Sequence, residues 1–200
     1  WGSGDFSNEK GLTVTEILDA VHAGDIKAMY VLGENPAMSD PDQIHARAAL
    51  AMLDHLVVQD IFITETANYA DVILPGPSPL EESHYDVFFS QFSCHNHARF
   101  SPATLPREPA MPDDWETMVR LIGILRGRGS DVDLGEMDDE LLVELLGDIG
   151  DDERAVVTEV LSTRIGAERR VDLGLRAGPF GDWFGMNPDG ISLASLEAAP

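Results

Sequence analysis

The chain reads as an α/β protein: a doubly wound, mostly parallel sheet with helices on both faces, followed by a C-terminal helical extension. Three observations predict this. The apolar runs at residues 26–32, 56–58 and 71–74 are short and rich in Val, Ile and Leu. They stop abruptly at Gly33, at Gln59 with Asp60, and at Pro75, as buried parallel strands do where they open onto a ligand edge. Helical patterns alternate with these runs, which implies right-handed crossovers and a covered sheet. Beyond Gly129 dense acid is interleaved with Leu141, Leu142, Leu145 and Leu146, the mark of amphipathic helices.

The elements follow in order. Thr13 and Glu16 have capping-box spacing, Val14, Ile17, Leu18 and Val21 share a helical face, and Gly24 supplies the stop. After the first strand, Gly33, Glu34, Asn35 and Pro36 form a break. A second helix is expected with Asp40 as cap, Pro41 at its first position and Gln43 completing the box. Following the second strand, residues 64–69 suit one or two helical turns opened by a threonine cap. The aromatic segment 84–92 suits an edge strand, and the proline-rich residues 101–112 suit an irregular traverse. Asp113 and Glu116 open a helix whose apolar face carries Trp115, Val119 and Ile122, and Arg126 with Gly127 closes it. Short amphipathic helices are expected over residues 131–153, another over 153–165, and an extended arm in the Gly- and Pro-punctuated tail. The resulting domain plan is residues 1–10 as a linker or cut edge, 11–127 as the α/β domain and 128–200 as the acidic extension and tail.

A formal net charge of −23 over 200 residues argues against nucleic acid or an anionic membrane surface as partner. One cysteine, Cys94, excludes an internal disulfide and any iron–sulfur cluster held by this chain alone. A reducing, cytoplasmic location fits, and no apolar run is long enough for membrane insertion. The start at Trp1, without an initiating Met, reads as the cut edge of something longer.

In an open parallel sheet, ligands bind outside the carboxyl ends of the strands. Gly33 lets backbone approach a phosphate, Asn35 offers a donor and an acceptor, and amides at Thr64–Thr66 could receive an anion. Asp60 is an acceptor suited to a guanine edge or a ribose diol. No GxGxxG pattern is present, so this is not the usual nicotinamide fingerprint. Cys94, His95 and His97 match no closed zinc spacing, and no GxSxG elbow exists, so neither a metal ligand set nor a catalytic residue is assigned. The pairs Asp113–Asp114, Asp138–Asp139 and Asp151–Asp152 lack calcium-loop spacing and suit helix starts.

The stretches GDIKAMYVLGENPAMSDPD and LVVQDIFITETANYADVILP resemble the third domain of the catalytic subunit of molybdopterin-dependent oxidoreductases, the group of formate dehydrogenases and nitrate reductases. The resemblance covers residues 11–82 strongly. The later pieces HYD, GPFGDWFG and DGISLASLEAAP resemble an actinobacterial branch of that group. It implies a Rossmann-like domain that helps hold a pair of molybdopterin guanine dinucleotides carrying one molybdenum or tungsten. The cofactor contacts it implies fall on Gly33, Glu34, Asn35, Gln59, Asp60 and Thr64, with Glu82 at a further contact position. At Glu82 many relatives carry a lysine, which puts phosphate contact there in question. Iron–sulfur ligands and the metal's own ligand would lie on other domains, so the resemblance implies an inactive fragment of a larger subunit. Its partners would be the remaining domains of that subunit and electron-transfer subunits. Two other functions compete: a cofactor-free structural domain such as that in the large iron–sulfur subunit of respiratory complex I, and an acidic interaction module.

Overall fold

The structure, a computed structural model, describes residues 9–199, so most of the expected linker lies outside the described residues. The chain divides into two compact units, with the boundary between Ser78 and Pro79. The sequence-based boundary after residue 127 falls within the second unit.

The first unit begins with α1 (Val14–Ala23), where the Thr13 backbone N–H donates to Glu16 Oε2 at 2.6 Å. Then come β1 (Ala28–Leu32), α2 (Pro36–Ser39), α3 (Gln43–Leu50), β2 (His55–Asp60), a 3-10 turn (Thr66–Tyr69) and β3 (Val72–Pro75). The three strands are parallel and ordered β1-β2-β3, with Val31 opposite Val58 and Val58 opposite Ile73. Alternation along each strand places Met29, Val31, Leu56 and Val58 on one face, where they pack with Ala37 and Leu50 from α2 and α3. Leu18 and Val21 of α1 continue this core against Ala46 and Ala49 of α3. The α/β class read from the strand–helix alternation is the class observed.

Two local expectations change. Pro36 starts a four-residue helix of its own, α2, whose C-cap is Asp40. The cap of α3 is therefore Asp42, whose carboxylate accepts from His45 N at 3.3 Å. Similarly, no threonine caps the turn after β2: it starts at Thr66 after Glu65, because Thr66 is wholly buried and its hydroxyl is engaged elsewhere.

In the second unit β4 (His84–Tyr85) pairs antiparallel with β5 (Phe100–Ser101). The expected edge strand stops there because Asp86 Oδ1 accepts Phe88 N at 2.9 Å and Phe89 N at 2.7 Å, turning the chain into a 3-10 turn at Phe89–Phe92. The helices are α4 (Asp114–Leu125), α5 (Leu134–Leu146), α6 (Asp151–Leu161), α7 (Gly166–Ala177) and α8 (Leu193–Glu197), with a 3-10 turn at Trp183–Gly185 before α8. Leu142, Val157 and Leu161 form the centre of their core, with Leu146, Leu173 and Phe184 packed against it.

Arginines staple this acidic unit. Asp138 lies inside α5 rather than at a helix start, is 1% exposed, and pairs with Arg169 at 2.7 Å and Arg170 at 2.8 Å. Asp172, equally buried, accepts from Arg176 Nε at 3.0 Å and from Leu193 N at 2.7 Å, which ties α8 to α7. Arg164 reaches Glu197 at 2.7 Å. Asp113 and Asp151 do stand at helix starts, as the first turns of α4 and α6 require.

Candidate functional site

The carboxyl ends of β1 and β2 stand side by side in the first unit, and hydrogen bonds join the loops that leave them along one strand-end crevice edge. Gly33 leaves β1 with a φ of +62°, and its N–H donates to the Gln59 carbonyl at 2.9 Å. A Cβ there would meet nothing within 4 Å, so the glycine serves the left-handed turn and leaves backbone open to a ligand. Beside it Glu34 is exposed.

Asn35 anchors the next step. Its Nδ2 donates to Glu65 Oε2 at 2.7 Å, and its Oδ1 accepts from Thr66 Oγ1 at 2.7 Å and Thr66 N at 3.3 Å. Thr66 Oγ1 in turn accepts from Ala37 N at 3.1 Å. The Asn35 amide hydrogen bond holds the Glu65 carboxyl below the usual carboxylate range. Asn35 thus fastens the loop after β1 to the turn after β2, and the Thr66 amide proposed as an anion donor is already occupied. Nothing local to the sequence marks Glu65 and Thr66 as its partners, since they lie 30 and 31 residues away.

Gln59 is 1% exposed and accepts a hydrogen bond from the Tyr30 hydroxyl on the neighbouring strand. Its side chain fixes the sheet surface rather than standing in open solvent. Asp60 ends β2; Oδ1 accepts from Phe62 N at 3.0 Å, and Oδ2 has no partner among the described residues. After it, Phe62 and Ile63 are 70% and 81% exposed, an apolar rim beside the carboxylate. Thr64 Oγ1 is buried and has no hydrogen-bond partner among the described residues. Such an atom is costly to leave unmade, which makes it a candidate for a ligand contact.

Glu34, Asp60 and Glu65 make the crevice acidic, and residues 33–36 and 59–66 carry no Lys or Arg. An acidic rim with unpaired acceptors suits hydrogen-bond donors, a base edge or sugar hydroxyls, better than phosphate charge. Among the described residues 33–36 and 59–66, no hydrogen bond pairs a nucleophile with a general base.

Glu82 belongs to the second unit. It is half-buried, accepts from Asp114 N at 3.4 Å at the start of α4, and is pushed up to about 7 by burial and by the nearby Asp113 and Asp114 carboxylates. A carboxyl with a folded pKa above its unfolded value keeps its proton longer when folded. Its contribution to stability is therefore lost as pH rises from about 4.5 to about 7, and stays lost above that. Glu82→Gln is expected to flatten this segment of the stability profile and to gain about 1–2 kcal/mol at pH 8, allowing for partial solvent screening. Thermal denaturation of both proteins between pH 5 and 8 measures it, and parallel profiles would assign the titration to another group.

The open backbone at Gly33, the unpartnered Thr64 hydroxyl and the free oxygen of Asp60 fit the base and ribose of a nucleotide, and no cation of these loops stands ready for its phosphates. Among the described residues no three His, Cys, Asp or Glu side chains converge as a metal site. No described helix is long and apolar enough to cross a membrane.

Subunit alpha of an F420-dependent formate dehydrogenase from Methanocaldococcus jannaschii is 54% identical over 72 residues, covering 36% of this chain and 10% of that protein. Formate dehydrogenase H of Escherichia coli is 34% identical over 116 residues, 58% of this chain and 16% of that protein. The assimilatory nitrate reductase catalytic subunit of Bacillus subtilis is 33% identical over 120 residues, 60% of this chain and 16% of that protein. The chain thus spans between a tenth and a sixth of the length of these relatives. The family model described as molybdopterin oxidoreductase matches residues 2–120, a span that contains the whole strand-end crevice. The chain belongs to the molybdopterin oxidoreductase family.

Proposed function

We propose that this chain is part of a molybdenum or tungsten oxidoreductase of the formate dehydrogenase type, and that its first unit binds the guanine dinucleotide end of the molybdopterin cofactor. The observation that supports the reading is that open backbone at Gly33, a free Asp60 oxygen and an unpartnered Thr64 hydroxyl all lie at or just after the carboxyl ends of two adjacent parallel strands. Asp60 accepts from the guanine edge or ribose, Thr64 donates to or accepts from the nucleotide, and Glu34 closes the outer side. Asn35 and Gln59 act one layer down, holding the loop and the sheet surface on which these groups sit. When bound in the whole protein, the cofactor's metal supplies two-electron oxidation and reduction. This chain's residues position it and carry out no bond-breaking, so the isolated chain is inactive. Iron–sulfur ligands lie on other domains. Its partners are those domains and electron-transfer subunits, and its location is cytoplasmic.

A second reading, a domain of this fold that holds no cofactor, is favoured by one observation: the Asn35 side chain is engaged within the protein. A thermal-shift titration separates the two. GDP at about ten times its dissociation constant is expected to stabilise the chain by roughly 1.4 kcal/mol, a few degrees, while ADP has less effect. Asp60→Ala is expected to remove the preference. Equal shifts with GDP and ADP, or an undiminished shift in the variant, would overturn the guanine assignment, and no shift at all would favour the cofactor-free reading.

A further inference from the structure

Within the second unit lies a cavity of about 630 Å³ that is open to solvent on the side of Asn96, His97 and Phe180. Its lower-numbered wall brings Tyr85 of β4, Ser90, Asn96 and His97; the other brings Leu175, Phe180 and Leu196 from the end of α7, the loop after it and α8. This second wall lies beyond residues 2–120, so the family match does not account for it. Two features define what the cavity selects. None of its twelve lining residues is Lys, Arg, Asp or Glu, in a chain where charged residues make up 24%. The polar groups it does have are uncharged hydrogen-bonding ones: a phenol, a hydroxyl and an amide, with an imidazole. In neutral His97, Nδ1–H donates to the His95 carbonyl at 3.3 Å, which leaves Nε2 as an acceptor. The neighbouring Asp86 carboxylate is held by the Phe88 and Phe89 amides.

The geometry points to a binding site for a neutral aromatic ring bearing a hydroxyl or carbonyl group, the ring against Phe180 and Leu175 and the polar group toward Tyr85, Ser90, Asn96 and His97. A charged group on the ligand would find no counter-ion among these residues, whereas a hydroxyl both donates to imidazole and accepts from the phenol or amide. Burial, reinforced by Asp86, raises the Tyr85 pKa, so its hydroxyl keeps the proton it donates. Gly174 makes a clean block possible: it lines the cavity, it is inside α7, and a Cβ there would meet nothing within 4 Å.

The test uses the 200-residue chain and 2-naphthol as probe, followed by its fluorescence, with 2-naphthalenesulfonate as the anionic comparison. Saturable binding of 2-naphthol at one site is expected, at least tenfold tighter than the sulfonate. Tyr85→Phe is expected to weaken it roughly fivefold to tenfold. Gly174→Leu is expected to abolish it while leaving the melting temperature unchanged or higher. Binding of the sulfonate as tight as the naphthol, no saturable binding, or binding that survives both substitutions would each overturn the proposal. Should Gly174→Leu lower the melting temperature, Tyr85→Phe and the comparison of the two probes decide it.

Discussion

Asp138→Ala is expected to destabilise the helical unit by about 3–5 kcal/mol, enough to lower its melting temperature by on the order of 10 °C or more. The carboxylate is 1% exposed and is shared by Arg169, Arg170 and the Gly166 N–H. Arg169 is itself 5% exposed, and its Nε donates to the Leu161 carbonyl. Removing Asp138 leaves that guanidinium buried with only Asp139 as counter-ion, and strips a partner from the amide that opens α7. The penalty is the cost of an uncompensated buried charge, not the net worth of the pair. Asp139 supplies the control: its side chain is 63% exposed although it approaches Arg169 at 2.6 Å. Asp139→Ala is expected to lose no more than about 1 kcal/mol. Denaturant unfolding followed by far-ultraviolet circular dichroism measures both. Equal losses would mean that the burial of Asp138 carries no weight.

Gly166→Ala is the second large effect, expected at about 2–4 kcal/mol. Gly166 opens α7 with a φ of +62°, and an added Cβ would stand 2.4 Å from two indole carbons of Trp115. The left-handed backbone alone costs alanine roughly 1–2 kcal/mol, and the rest comes from displacing a ring packed at the start of α4. Gly174→Ala, in the same helix but facing open space, is expected to gain about 0.5–1 kcal/mol through helix propensity. Melting temperatures of the two variants should therefore move in opposite directions. A loss in both would show that the contact with Trp115 is not what distinguishes them.

These two positions also show where the sequence is readable and where it is not. β1, β2 and α1 are legible because each is fixed by local pattern: apolar runs that stop at polar residues, and a Thr13–Glu16 capping pair. α7 escapes such reading because two of the positions it buries are Arg169 and Asp172, whose partners lie on α5 and α8. A helix whose inner face is ionic carries no simple apolar stripe. α5, expected as short pieces, is one helix of 13 residues, because Asp138 inside it is neutralised from afar. In the crevice the glycine turn and the terminal Asp60 follow from strand-end chemistry. The clamp of Asn35 on Glu65 and Thr66 does not, since it depends on how two loops meet after folding.

That clamp has a consequence for recognition. Asn35 sets the spacing of the two loops within the protein itself, so binding of the proposed nucleotide would cost the loops little conformational freedom. A preorganised pocket of this kind retains more of its contact energy as affinity and discriminates by fit rather than by closing. Its rim, with Phe62 and Ile63 held outward, is then already in shape for whatever surface or ring completes it.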